Sequence, residues 1–112
     1  MKPSKYRNKR VTAHGHTFDS KREARRYGEL LLLQGAGEIC KLERQVKIPL
    51  EGRDGPILTP TGRPMHYVAD FRYVDWRQNG RIVIEDAKGM ETDVFKIKRA
   101  ILAAQGVEVV LS

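Results

Sequence analysis

At 112 residues, 40% hydrophobic and 31% charged, the chain can bury one modest core and does not have the composition of a disordered tail. Its net charge of +7 is unevenly placed: residues 1 to 26 carry nine Lys and Arg against Asp19 and Glu23, and the remaining twelve basic and twelve acidic residues cancel. No apolar run is long enough for a membrane helix, no secretory leader opens the chain, and the lone Cys40 can form neither an internal disulfide nor a thiolate zinc site; a soluble cytoplasmic protein with no membrane partner is expected.

Residues 1–17 read as a basic N-terminal arm, ending in a His14-Gly15-His16 turn, and residues 18–112 as a single domain. The excess charge of the arm and of the segment after it (Lys5, Arg7, Lys9, Arg10, Lys21, Arg22) is how a polyanion-binding surface is built, and Tyr6 could stack on a base. From Ser20 to about Gln34 the spacing is helical, with Ser20 as N-cap and Gly35 and Gly37 as stops. On a 100° wheel Glu23 falls on the stripe of Tyr27, Leu30, Leu31 and Gln34, so its carboxylate faces the core; Ser20 and Glu23 also fit a capping box.

Gln45 to Leu50 reads as a short strand, followed by a Gly- and Pro-rich loop. His66 to Val74 is a second strand, and the Asn79-Gly80 turn, with Trp76 beside it as a second stacking candidate, leads into a third, Arg81 to Lys88. Asp93 to Gln105 returns to helical spacing with Val94, Ile97, Ala100, Ile101 and Ala104 on one side, Thr92 or Asp93 at its cap, and Lys96 exposed to a phosphate or to water. Val107 to Leu111 is a last strand. The order α-β-β-β-α-β predicts an α/β fold, a mixed central sheet flanked by helices.

The stretch Ile82-Val-Ile-Glu-Asp-Ala-Lys-Gly89 carries the chemistry. Asp86 and Lys88 share a strand face and Glu85 points away, while Asp70 sits in the apolar run Tyr67-Val-Ala-Asp-Phe71. If these strands pair through the Asn79-Gly80 turn, Asp70 and Asp86 converge, and two carboxylates repel unless a cation lies between them. Mg²⁺ (or Mn²⁺) takes such a pair, with water and phosphate oxygens completing its shell, and a lysine two residues on can orient the attacking water or balance phosphate charge. The plainer alternative is a buried salt bridge from Lys88 to Asp86 or Asp70. His14 and His16, without a third ligand nearby, read as turn residues or DNA contacts.

Phe18-Asp-Ser-Lys-Arg-Glu-Ala24, Ala69-Asp-Phe71 and Glu85-Asp-Ala-Lys-Gly89, in that element order, resemble the PD-(D/E)XK nuclease superfamily and its restriction-endonuclease-like core. Within it the likeness is closest to small phage-encoded proteins that carry Thr92-Asp-Val-Phe-Lys-Ile-Lys98 after the lysine, and it spans roughly residues 5 to 110. The resemblance implies a metal-dependent DNA endonuclease with Asp70 and Asp86 as metal ligands, Lys88 as catalytic lysine, Glu23 as the helix carboxylate, and Gln45 approaching the site. Ala69 stands where the name-giving proline would be, and no separate recognition domain is evident. It also implies DNA as partner, other phage recombination, replication or packaging proteins as further partners, and the host cytoplasm as location. A chain this small has little surface for reading base edges, so branched or nicked DNA, cut as by a junction resolvase or nickase, is the expected substrate, with a homodimer bringing two sites to two strands. A non-catalytic basic DNA- or RNA-binding module is the competing expectation.

Overall fold

A computed structural model describes residues 10–88 and 90–112. The chain runs β1 (Val11–Ala13), β2 (His16–Phe18), α1 (Lys21–Gly35), β3 (Ile39–Pro49), β4 (Glu51–Gly52), β5 (Gly55–Pro56), β6 (His66–Asp75), a 3₁₀ turn (Trp76–Gln78), β7 (Arg81–Asp86), α2 (Asp93–Ala104) and β8 (Val109–Leu111). β3, β6, β7 and β8 form one mixed sheet in that order, antiparallel except for the parallel β7–β8 pair. The fold is α/β, and the expected order α-β-β-β-α-β is the order of these helices and sheet strands. Among the described residues no helix is long and apolar enough to cross a membrane.

The sheet borders two cores. Leu30 of α1 packs with Ile39, Phe71, Tyr73, Val83 and Ala87, and Phe95 and Leu102 of α2 pack with Leu50, Tyr67, Ala69 and Val109. Every odd position of β6 from Tyr67 to Asp75 is buried, the period-2 pattern of a central strand. Its first half, Tyr67 and Ala69, joins the α2 core and its second half, Phe71 and Tyr73, the α1 core, so Asp70 lies where the two meet.

Three expectations are corrected. The segment read as the end of an arm is a β1–β2 hairpin docked on α1: His14 and His16 meet the Tyr27 ring edge-on, and Gly28 makes room for the His14 ring, whose Nε2 would lie 2.9 Å from an added Cβ. β3 begins at Ile39, six residues before the expected start, because the register shifts between Cys40 and Glu43, where Lys41 takes a left-handed backbone (φ 56°) and breaks the alternation that marks a strand. The expected apolar side of α2 is not the side it buries: Phe95 and Leu102, seven residues apart, face the core, while Val94 and Ile97 are exposed and the Lys98 ammonium donates to the His66 carbonyl at 3.1 Å.

Candidate active site

α1 starts at the site because Ser20 caps it, its Oγ accepting the Glu23 N–H at 3.1 Å. That is one half of the expected capping box. The Glu23 carboxylate turns instead to β3, where it accepts from the Gln45 amide (3.2 Å) and faces the Arg44 guanidinium (3.5 Å). The same Gln45 Nε2 lies 3.5 Å from Asp70 Oδ1. Gln45 reaches both acids because its own backbone is left-handed (φ 51°) in mid-strand, between the ladder pairs Arg44↔Phe71 and Val46↔Ala69. That conformation is strained for a residue with a Cβ.

Asp70 and Asp86 converge as the strand pairing predicts. Asp86 Oδ1 accepts the backbone N–H of Asp70 at 2.8 Å, and Asp70 Oδ2 accepts the backbone N–H of Ala87, the residue just past β7, at 3.0 Å, so each carboxylate is held by backbone at or next to the other acid. Asp86 Oδ2 is buried and, among the described residues, has no hydrogen-bond partner. Burial raises all three acids above their usual range. Glu23 reaches about 7, its burial reinforced by the charge of Asp70, and for Asp70 and Asp86 burial outweighs the backbone N–H bonds and the charge of Lys88, which pull the other way.

Lys88 lies two residues past the end of β7. Its ammonium sits over the Phe95 ring, 4.9 Å from the centroid, and among the described residues it forms no ion pair. The salt bridge that would have explained Asp86 and Lys88 without chemistry is therefore not made.

The donor set is carboxylate oxygen with an amide beside it, and one buried oxygen has an open lone pair; this chemistry fits a hard divalent cation. Among the described residues no three His, Cys, Asp or Glu side chains group closely enough to form a metal cage. Mg²⁺ does not need one, being held through one or two carboxylates with water and substrate oxygens supplying the rest.

The neighbouring Glu85 behaves differently. It is buried on the α1 side, where Arg26 grips it with two bonds (2.6 and 3.1 Å) and the Tyr73 hydroxyl donates at 2.6 Å. Burial works to raise its pKa, but these donors hold it below the usual carboxylate range, and burial with the Glu85 bond pushes Tyr73 up to about 12.

Of the proposed nucleic-acid contacts, Lys5, Arg7 and Lys9, with the stacking candidate Tyr6, lie outside the described residues, as does Gly89. Arg10 is exposed and 3.7 Å from Asp19; Lys21 and Arg22 are exposed in the first turn of α1, Arg22 donating to the Ser112 carbonyl at 3.4 Å; Lys96 is exposed on α2. Gln45 bridges two of the acids at the site. Trp76 is exposed beside Gly80 on the loop joining β6 to β7.

Sequence reasoning missed Arg44, whose guanidinium also lies 4.4 Å from the Phe18 ring centroid, and Asp19, whose charge bears on Glu23 and Asp70. Asp19 was within reach, standing next to the N-cap of the helix that bears Glu23. Arg44 had no local signal, since its partners come from two other elements, β2 and α1.

Residues 3–112 match the family described as protein of unknown function (DUF1064), and the chain belongs to that family. No curated protein and no solved structure matches the chain.

Proposed function

We propose that this protein is a metal-dependent deoxyribonuclease of the PD-(D/E)XK type, hydrolysing phosphodiester bonds in branched or nicked DNA. The observation that carries the reading is the buried, unpartnered Asp86 Oδ2 beside Asp70, with Lys88 nearby and unpaired among the described residues. Asp70 and Asp86 would hold Mg²⁺ or Mn²⁺, with Glu23 supporting that ion or a second one. When bound, the ion supplies the positive charge that eases deprotonation of the attacking water and neutralises the phosphate.

Hydrolysis joins one water oxygen to phosphorus, breaks one bond from phosphorus to a sugar oxygen and returns a proton to the departing oxygen. Asp70 and Asp86 would fix where the phosphate can sit, because each is held by a backbone N–H at or next to the other acid. Lys88 faces the charge that grows on the phosphate oxygens or orients the water. Gln45 holds Glu23 and Asp70 at a fixed separation. Lys21, Arg22 and Arg25, exposed at the start of α1, and the basic residues before them would take the DNA backbone. A homodimer would present two such sites to two strands.

The test is incubation of supercoiled plasmid and of a labelled four-way junction with Mg²⁺, Mn²⁺ or EDTA, beside Asp86→Ala and Lys88→Ala. Metal-dependent cutting that both variants lose, with DNA binding retained, is the expected result. Tight binding without cutting in any metal would make the protein a nucleic-acid-binding module. Deleting residues 1–10 should flatten the salt dependence of binding by about 0.9 in log–log slope for each phosphate the arm no longer neutralises; an unchanged slope would remove the arm from the interface.

A further inference from the structure

Lys88 stands outside the strand that carries Asp86, so regular β structure does not fix its side chain, and among the described residues no carboxylate is close enough to pair with it. Its ammonium nevertheless has a defined seat, 4.9 Å from the Phe95 ring centroid, within the range over which a cation is drawn to the face of an aromatic ring.

That ring is itself held in place by packing and by a helix cap. Phe95 is buried in the α2 core, its ring tilted against Tyr67 at 6.0 Å between centroids and packed with Leu102 and Val109. Its backbone is fixed too, because the Thr92 hydroxyl that caps α2 accepts the Phe95 N–H at 3.1 Å. Thr92 thus sets the first turn of the helix through the residue whose ring meets the lysine. Capping and core packing together explain how a flexible four-carbon side chain can be kept near Asp70 and Asp86 before any DNA arrives.

We propose that Phe95 is a positioning residue: its ring face holds the Lys88 ammonium at the carboxylate site without neutralising it, so that the full charge stays available to a phosphate. An acidic partner would hold the lysine equally well but would cancel the charge the site needs. The geometric part stands alone, and its consequence for cleavage rests on the nuclease reading.

The experiment reads the two parts separately. Lysine ε-methylene signals are recorded by NMR on protein labelled at lysine, the Lys88 signal being identified by its loss in Lys88→Arg. In the native protein the Lys88 ε protons should be shifted upfield by the Phe95 ring current; in Phe95→Leu the shift should vanish, and in Phe95→Tyr it should persist. An unshifted Lys88 signal in the native protein overturns the proposal whether or not any variant folds. In single-turnover cleavage with Mg²⁺, Phe95→Leu should slow the reaction about twofold to fivefold, the size of one such interaction near the surface. DNA affinity should be unchanged, and Phe95→Tyr should restore the rate. A Phe95→Leu rate equal to that of native protein also overturns the proposal. A shifted Lys88 signal in native protein that cuts no DNA in any metal would uphold the seat and overturn the nuclease reading alone.

Discussion

Glu85 and Asp86 are consecutive residues of one strand, equally buried, and they end in opposite electrostatic circumstances. Glu85 receives three hydrogen bonds, two from a guanidinium that carries the opposite charge, and its pKa falls. Asp86 is held by one backbone N–H, keeps an oxygen with no partner among the described residues, and its pKa rises. Strand alternation places them on opposite faces, one toward the basic side of α1 and the other toward Asp70. The contrast separates an acid paired within the fold from one that keeps a buried oxygen without a partner among the described residues.

If that division is right, the same kind of substitution has opposite effects on the two sides. Arg26→Ala leaves Glu85 buried without its cation and should cost about 3–5 kcal/mol in urea unfolding. A loss below 1 kcal/mol would mean that Glu85 is not a structural acid. Asp86→Asn should lower cleavage at least about a hundredfold, the scale of removing one catalytic electrostatic group, while stability changes by less than about 1 kcal/mol or rises. Severe unfolding in that variant would place Asp86 with Glu85.

Asp75 sharpens the comparison from the far end of β6. Its carboxylate accepts four hydrogen bonds, three from Arg77 and one from Gln78, and the Arg77 bonds lower its pKa to about 2. A folded pKa below the unfolded value means that the stabilisation is complete above about pH 4 and is lost as pH falls toward 2. Asp75→Asn should therefore cost about 1–3 kcal/mol at pH 7 and much less near pH 2, by chemical denaturation at the two pH values. Equal losses at both would show that the ionised form is not what matters.

Gln45→Gly gives the smallest change in stability and the most informative sign. Glycine adopts the left-handed backbone freely, so relief of strain offsets the lost amide bonds and stability should stay within about 1 kcal/mol of native or exceed it. Cleavage should fall, because nothing then spans Glu23 and Asp70. A glycine variant with native activity would remove Gln45 from the site.

Much of this contrast is legible in the sequence. The Ser20 cap, the alternation of β6, the approach of Asp70 to Asp86 and the turning away of Glu85 all follow from spacing within single elements and one hairpin. What was hidden depends on backbone irregularity or on distant partners. Lys41 and Gln45 have left-handed backbones that no propensity announces, so β3 looked half its length and the reach of Gln45 to two acids could not be foreseen. Arg26 meets Glu85 across 59 residues of chain. α2 misled because its most regular apolar stripe does not include the pair it buries: Phe95 and Leu102, one heptad apart, face the core while Val94 and Ile97 stay exposed.

The proposed site turns on Asp86 Oδ2 being the oxygen that takes a cation. Thermal unfolding of the native protein and of Asp86→Asn, each in EDTA and in saturating Mn²⁺ without DNA, tests it most directly. The account predicts a rise in melting temperature with Mn²⁺ in the native protein and none in the variant, since a ligand that binds only the folded state stabilises it by mass action. An equal response in both proteins, or none in the native one, would contradict it.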